Sequence, residues 1–214
     1  MHYKSSRSSL AATDTAAVLQ GLAPDGGLYL DGELERRAFD WQGCLQLSPL
    51  EMAEKILGHL LPGFANMEEL VRRAYAGKFS AEELTPLVPV GGDFVLELFH
   101  GPTCAFKDVA LSMLPQLITA GRAQEGMKEK IVILTATSGD TGKAALEGFH
   151  DVEGTGILVF YPDAGVSPIQ KAQMVTQTGS NVKVCAVRGN FDDCQSGVKE
   201  AFAAISGSEA LQSR

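Results

Sequence analysis

Ile131-Val132-Ile133-Leu134-Thr135-Ala136-Thr137-Ser138-Gly139-Asp140-Thr141-Gly142-Lys143 reads as an apolar strand, a glycine turn and the start of a helix that runs over Lys143–His150. An unbroken apolar run of this length marks a strand covered on both faces. The alternation then repeats. Ile157–Tyr161 is a strand and Ile169–Thr178 a helix, followed by strand Val182–Val187 and helix Phe191–Ile205. In that last helix Phe191, Cys194, Val198, Phe202 and Ile205 share one face. Upstream, Phe94–Phe99 reads as an apolar strand and Phe106–Ile118 as an apolar helix containing Pro115. Strands alternating with such helices predict βαβ units, a parallel sheet and right-handed crossovers. The fold class is α/β.

Before residue 85 the signals are helical. Ser48-Pro49-Leu50-Glu51 is a capping box with proline at the first helical position, opening a face of Leu50, Ala53, Ile56, Leu57, Leu60 and Leu61. Pro62-Gly63 stops it. Asn66 and Glu69 predict a second helix through Tyr75, with Gly77 beyond its end, and Ser80 with Glu83 a short third one. Thr85–Gly92, with Pro86, Pro89 and a Gly-Gly pair, reads as a linker. The chain therefore divides into a mainly helical part, 1–92, and an α/β part, 93–214.

The chain has 214 residues, 45% hydrophobic and 21% charged, which is enough apolar surface for a core and excludes disorder as the dominant state. A net charge of −8 lacks the basic footprint of a nucleic-acid binder. No apolar run approaches the roughly 18 residues of a membrane span. Met1–Gly21 has no secretory apolar core, so a cytoplasmic protein is expected. Cys44, Cys104, Cys185 and Cys194 form no C-x-x-C pair, which argues against a zinc site or a disulfide framework. They are expected as small buried hydrophobes, Cys104 being set apart by its neighbours.

Ligands of parallel sheets sit at the carboxyl ends of the strands. Two loops qualify, Ser138–Gly142 and His100–Lys107. In the first, two glycines and small hydroxyl residues at a helix start make an anion site, suited to a phosphate or a carboxylate. It is not a Walker A loop, because Ala144 follows Gly142-Lys143 and Thr137 stands at the first-glycine position. The plainer alternative is a strand-to-helix turn capped by Thr or Asp. Asp140 would repel a phosphate, so it either caps the helix or faces a donor or cation.

Lys107 shares a helix side with Leu111, Leu114 and Ile118, on a helix apolar nearly all round and hence expected to be buried. Burial lowers a lysine pKa and suits a Schiff-base nucleophile, although pairing with Asp108 is the simpler alternative. His150 closes a helix, where a cation favours the dipole, and His100 is read as structural or as a substrate contact.

Taken together, these motifs resemble threonine synthases. Leu98-Phe99-His100-Gly101-Pro102-Thr103-Cys104-Ala105-Phe106-Lys107-Asp108 looks like the lysine segment of that family, with Cys104 in place of its usual leucine. Thr135–Gly142 is similar to its substrate loop. Tyr161-Pro162, Val166–Gln170 with Gln173-Met174, Gly189–Gln195 and Gly21–Tyr29 continue the likeness over essentially the whole chain.

The resemblance implies the beginning of a tryptophan-synthase-β-like fold, type II among pyridoxal 5'-phosphate enzymes. The implied reaction converts O-phosphohomoserine and water to threonine and phosphate. Lys107 would be the Schiff-base lysine, with Phe106 and Asp140 at the cofactor, Asp140 facing its 3-hydroxyl or the imine nitrogen. Ser138, Gly139, Thr141, Gly142 and Thr103 would hold the substrate, its carboxylate at the helix N-terminus. The cation for the substrate phosphate is left open among Lys143, Lys171 and residues elsewhere. The family's glycine-rich cofactor-phosphate loop and its pyridine-nitrogen residue do not occur before Arg214, and Ser206–Arg214 reads as a helix end. The expectation is thus a truncated, inactive N-terminal fragment that needs the remainder of its own chain. It would have no nucleic-acid or membrane partner and no metal. Two alternatives stay open: a threonine-synthase-like phospho-lyase, and a non-enzymatic module that binds phospholigands.

Overall fold

The computed structural model describes residues 3–206, so the expected helix end at 207–214 lies outside the described residues. The chain packs as two compact units, Met1–Lys128 and Glu129–Arg214. Sequence character changes earlier, near Thr85–Asp93, but the packing boundary follows the helix after that linker.

The first unit opens on a sheet that the helical signals did not announce. Strands β1 (Tyr3–Ser5), β2 (Ala11–Ala12) and β3 (Tyr29–Asp31) pair antiparallel in the order β2-β1-β3. Segments of two or three residues are too short for a period-two pattern to register. Helix α1 (Asp14–Gln20) starts where the Thr13 side chain accepts from the Ala16 N–H. A 3-10 turn (Leu34–Arg36) and a single turn, α2 (Trp41–Cys44), follow.

Helix α3 (Pro49–Leu60) begins at the expected capping box: the Ser48 N–H donates to Glu51 at 2.8 Å, and the Glu51 N–H to Ser48 Oγ at 3.4 Å. Leu50, Ala53, Leu57 and Leu61 pack inward from it, whereas Ile56 is exposed. Helix α4 (Met67–Tyr75) starts differently from expectation. Asn66 sits in the left-handed region at φ 56° and its side chain caps nothing.

Two expectations between residues 80 and 99 are corrected. There is no third helix at Ser80, whose hydroxyl bonds His100 Nδ1 at 2.9 Å and whose N–H donates to the His100 carbonyl. The linker and the apolar strand together form an antiparallel hairpin, β4 (Leu87–Val90) and β5 (Asp93–Leu96), outside the parallel sheet. Pro89 is tolerated opposite Phe94 because, among the described residues, neither strand has a second neighbour. Gly91, at φ 61°, makes the turn. All four β5 residues are exposed.

Helix α5 (Lys107–Gln124) extends past its expected end and, as expected, has buried residues all round it: Asp108, Ser112, Met113, Pro115, Leu117, Ile118 and Gly121. Met113 and Leu117 meet Phe64, Met67, Leu70, Val71 and Tyr75 in the core, while Ala110 faces solvent. This packing on α4 and α1 holds α5 in the first unit.

The second unit matches the alternation read from sequence. Its elements are β6 (Ile131–Ala136), α6 (Asp140–Phe149), β7 (Thr155–Pro162), α7 (Pro168–Val175), β8 (Val182–Val187) and α8 (Phe191–Ser206). The sheet is parallel in the order β6-β7-β8, with Ile133 opposite Ile157 and Val159 opposite Val184. Thr155, Ile157, Val159 and Tyr161 of β7 are buried, and so are Ala144, Ala145, Leu146 and Phe149 of α6. Of the cysteines, Cys44 and Cys194 are buried as expected, but Cys185 is exposed, and so is Cys104. In α8, Phe202 and Ile205 are exposed, unlike their facemate Cys194. Among the described residues no helix is long and apolar enough to cross a membrane.

Candidate active site

Lys107 is the first residue of α5 and is half-buried rather than enclosed. The neighbouring carboxylate does not pair with it. Asp108, 2% exposed, turns into its own loop, accepting from the Thr103 N–H at 2.9 Å, the Ala105 N–H at 3.4 Å and the Thr103 hydroxyl. Gly101 is required beneath this knot, since a Cβ there would lie 2.4 Å from Asp108. The Lys107 ammonium instead stands 4.4 Å from the centroid of the exposed Phe106 ring. Four residues of the lysine segment are thereby brought together: Thr103 and Asp108 locked inside, Phe106 and Lys107 outside. Cys104, at φ 57°, makes the bend between them.

The loop in the second unit is built from underneath. Thr137, 1% exposed, donates its N–H to the Phe160 carbonyl of β7 at 2.9 Å. Its Oγ1 accepts from the Gly139 N–H at 3.0 Å and the Gly142 N–H at 2.9 Å. A Cβ on Gly142 would lie 2.4 Å from Thr137 Cγ2 and 2.8 Å from Val159 Cγ1, so only glycine lets the helix start this close to the sheet. Two of the four substrate-loop N–H groups named from sequence are therefore turned inward. Among the described residues the N–H groups of Ser138, Asp140 and Thr141 have no backbone or side-chain acceptor. They lie at the positive end of the α6 dipole, where an anion is favoured.

Asp140 opens α6 and is exposed. Its Oδ1 accepts from Gln170 Nε2 at 2.9 Å, and Gln170 lies so close over Gly139 that a Cβ there would be 2.5 Å from the amide. Gly139 has φ 149°, a conformation that L side chains rarely adopt.

Sequence reasoning placed Thr137 and Gln170 inside motifs but gave neither a role. The signal for Gln170 was present in Ser167-Pro168-Ile169-Gln170, a second capping box, which is formed in the structure.

Of the candidate cations, Lys143 is buried, and Lys171 bonds Asp163 at 2.6 Å, which holds the Asp163 carboxyl below its ordinary range and raises the ammonium. His100 is held within its own segment: its ring nitrogens bond Glu97 at 2.7 Å and Ser80 at 2.9 Å, and it stacks on Phe99. His150 caps α6 and its Nδ1 lies 2.6 Å from the Glu147 carbonyl oxygen.

No protein-family model matches the chain. Threonine synthase of Pseudomonas aeruginosa is 40% identical to it over 212 residues, covering 95% of this chain and 44% of that protein. The Saccharomyces cerevisiae threonine synthase is 39% identical over 220 residues, covering 94% and 42%. A crystal structure of PLP-bound threonine synthase from Brucella melitensis superposes with a TM-score of 0.87 at 40% identity, over 99% of this chain and 46% of that one. The chain matches threonine synthases over nearly its whole length. It spans less than half the length of the threonine synthases it matches. The Leu98–Asp108 segment lies in the first compact unit and the Thr137–Gly142 loop in the second.

Proposed function

We propose that the chain carries the lysine and the substrate loop of a pyridoxal 5'-phosphate-dependent threonine synthase. The reaction converts O-phosphohomoserine and water to threonine and phosphate. The observation that carries this reading is the Lys107 amine: Asp108 beside it is engaged by Thr103 and Ala105, and among the described residues no carboxylate pairs with the lysine. An amine without an ion-pair partner is what condensation with an aldehyde requires. The residues thus fit the cofactor, which when bound supplies an electron sink for chemistry at the substrate carbons.

The chain's own residues then take distinct parts. Phe106, whose ring lies beside the Lys107 amine, would help to hold the cofactor, and Lys107 would bind it and carry protons to and from the substrate carbons. Ser138 and Thr141 present N–H groups to the substrate carboxylate, while Gly139 and Gly142 shape the loop through Thr137. Thr103 serves the substrate side indirectly, by holding Asp108 away from Lys107. Asp140 faces a hydrogen-bond donor on the cofactor, which accounts for a carboxylate in an anion-binding loop.

The 214 residues alone are proposed to be inactive, consistent with spanning 44% of a relative. The test is borohydride reduction in the presence of pyridoxal phosphate, with the modified residue mapped by mass spectrometry, on this chain and on the full-length protein. Labelling of Lys107 in the full-length protein, with threonine formed from O-phosphohomoserine, supports the reading. Absence of label at Lys107 in both overturns it, and turnover by the 214 residues overturns the inactivity.

A further inference from the structure

We infer that Gln170 is the positioning residue for the Asp140 carboxylate, an inference that rests on the reading of Asp140 given above. Asp140 stands on the surface at the start of α6, where a free carboxylate would sample several rotamers. Gln170 removes that freedom from a different helix. Its Oε1 accepts the Ser167 N–H at 3.2 Å and its own N–H donates to Ser167 Oγ at 3.3 Å. The first of these bonds sets which end of the amide points where, leaving Nε2 to donate to Asp140 Oδ1 at 2.9 Å. One carboxylate oxygen is therefore taken and Oδ2 is left to meet a donor. Gly139 completes the device, because any side chain there would push Gln170 off Asp140. The capping box alone does not explain this arrangement, since a glutamate at residue 170 would cap α7 equally well but could not donate to Asp140.

That difference supplies the test. In the full-length protein, Gln170→Glu keeps the cap and places a like charge against Asp140. Ser167→Ala weakens the cap and leaves the Asp140 contact. Cofactor affinity, read from the absorbance of pyridoxal phosphate titrated into apoprotein, is expected to fall about tenfold in Gln170→Glu, the loss of one charge-assisted hydrogen bond. The absorbance maximum of the bound cofactor should shift as well, with the thermal melt close to wild type. Ser167→Ala is expected to lower the melt and leave the absorbance maximum in place. If Gln170→Glu does not fold, Gln170→Asn, neutral and one methylene shorter, carries the same expectation. Unchanged affinity and absorbance in the folded Gln170 variant, or an equal effect from Ser167→Ala, overturns the inference while leaving the cofactor site intact. A wild-type protein that takes up no cofactor would instead overturn the functional reading, and this inference with it.

Discussion

The carboxylate of Asp108 and the hydroxyl and N–H of Thr103 close on one another inside the loop that leads into α5, both residues being at least 95% buried. This pairing turns the acid away from the lysine beside it. Asp108→Ala would remove the acceptor that the Thr103 and Ala105 N–H groups share in a dry site, at a cost of about 1–3 kcal/mol. Urea unfolding monitored by fluorescence should show that loss, and an unchanged midpoint would mean the knot does not form.

Thr137→Val keeps the shape of the side chain and removes the acceptor shared by the Gly139 and Gly142 N–H groups. Amide exchange at both glycines should accelerate at least about tenfold, from the loss of roughly 1.4 kcal/mol of local protection. Thr137→Ser, which keeps the oxygen, should exchange like wild type.

The glycines differ in what a methyl group would meet. Gly142→Ala places a Cβ against Thr137 and Val159 and is expected to destabilise by about 1–3 kcal/mol. Gly58 in α3 has nothing within 4 Å of a new Cβ, so Gly58→Ala should stabilise by about 0.5–1 kcal/mol. Paired thermal melts decide the signs.

Tyr75 supplies a pH dependence. Its hydroxyl donates to the Val109 carbonyl at 2.9 Å in the helical core, and burial pushes its pKa from 10.0 up to about 12. The raised pKa means the folded state keeps a proton that the unfolded state has lost. Its stabilising effect is therefore complete below pH 10 and is lost between about pH 10 and pH 12, a change of roughly 2–3 kcal/mol. Tyr75→Phe should have a shallower decline over that window in pH-dependent urea titrations. Parallel curves would show that the phenol does not titrate late.

The parallel sheet was legible because Ile131–Ala136 and Val182–Val187 are largely apolar stretches, too short to be helices between turn signals. The hairpin was not. Pro86, Pro89 and the Gly91-Gly92 pair are ordinary linker residues, and Pro89 is accepted as a strand residue because β4 pairs only with β5 among the described residues. The helix expected at Ser80 failed for a similar reason, its hydroxyl being claimed by His100, a partner twenty residues away that no local pattern reveals. In the site, Ser138–Gly142 and Lys107 could be singled out by residue type. The roles of Thr137 and Gln170 depend on which way a hydroxyl and an amide point, and that is set by packing against Phe160 and Ser167.

Within the β6-β7-β8 sheet, β7 alone has a neighbour on each side, and the 137–142 loop is moored to that strand through the Thr137–Phe160 bond and the contact of Gly142 with Val159. The loop's seat thus belongs to the middle of the sheet. Additional strands could extend either margin, through β6 or β8, without re-aiming the amides of Ser138 and Thr141. Such a layout lets a lineage lengthen or shorten its flanks while the geometry that faces the ligand is inherited unaltered.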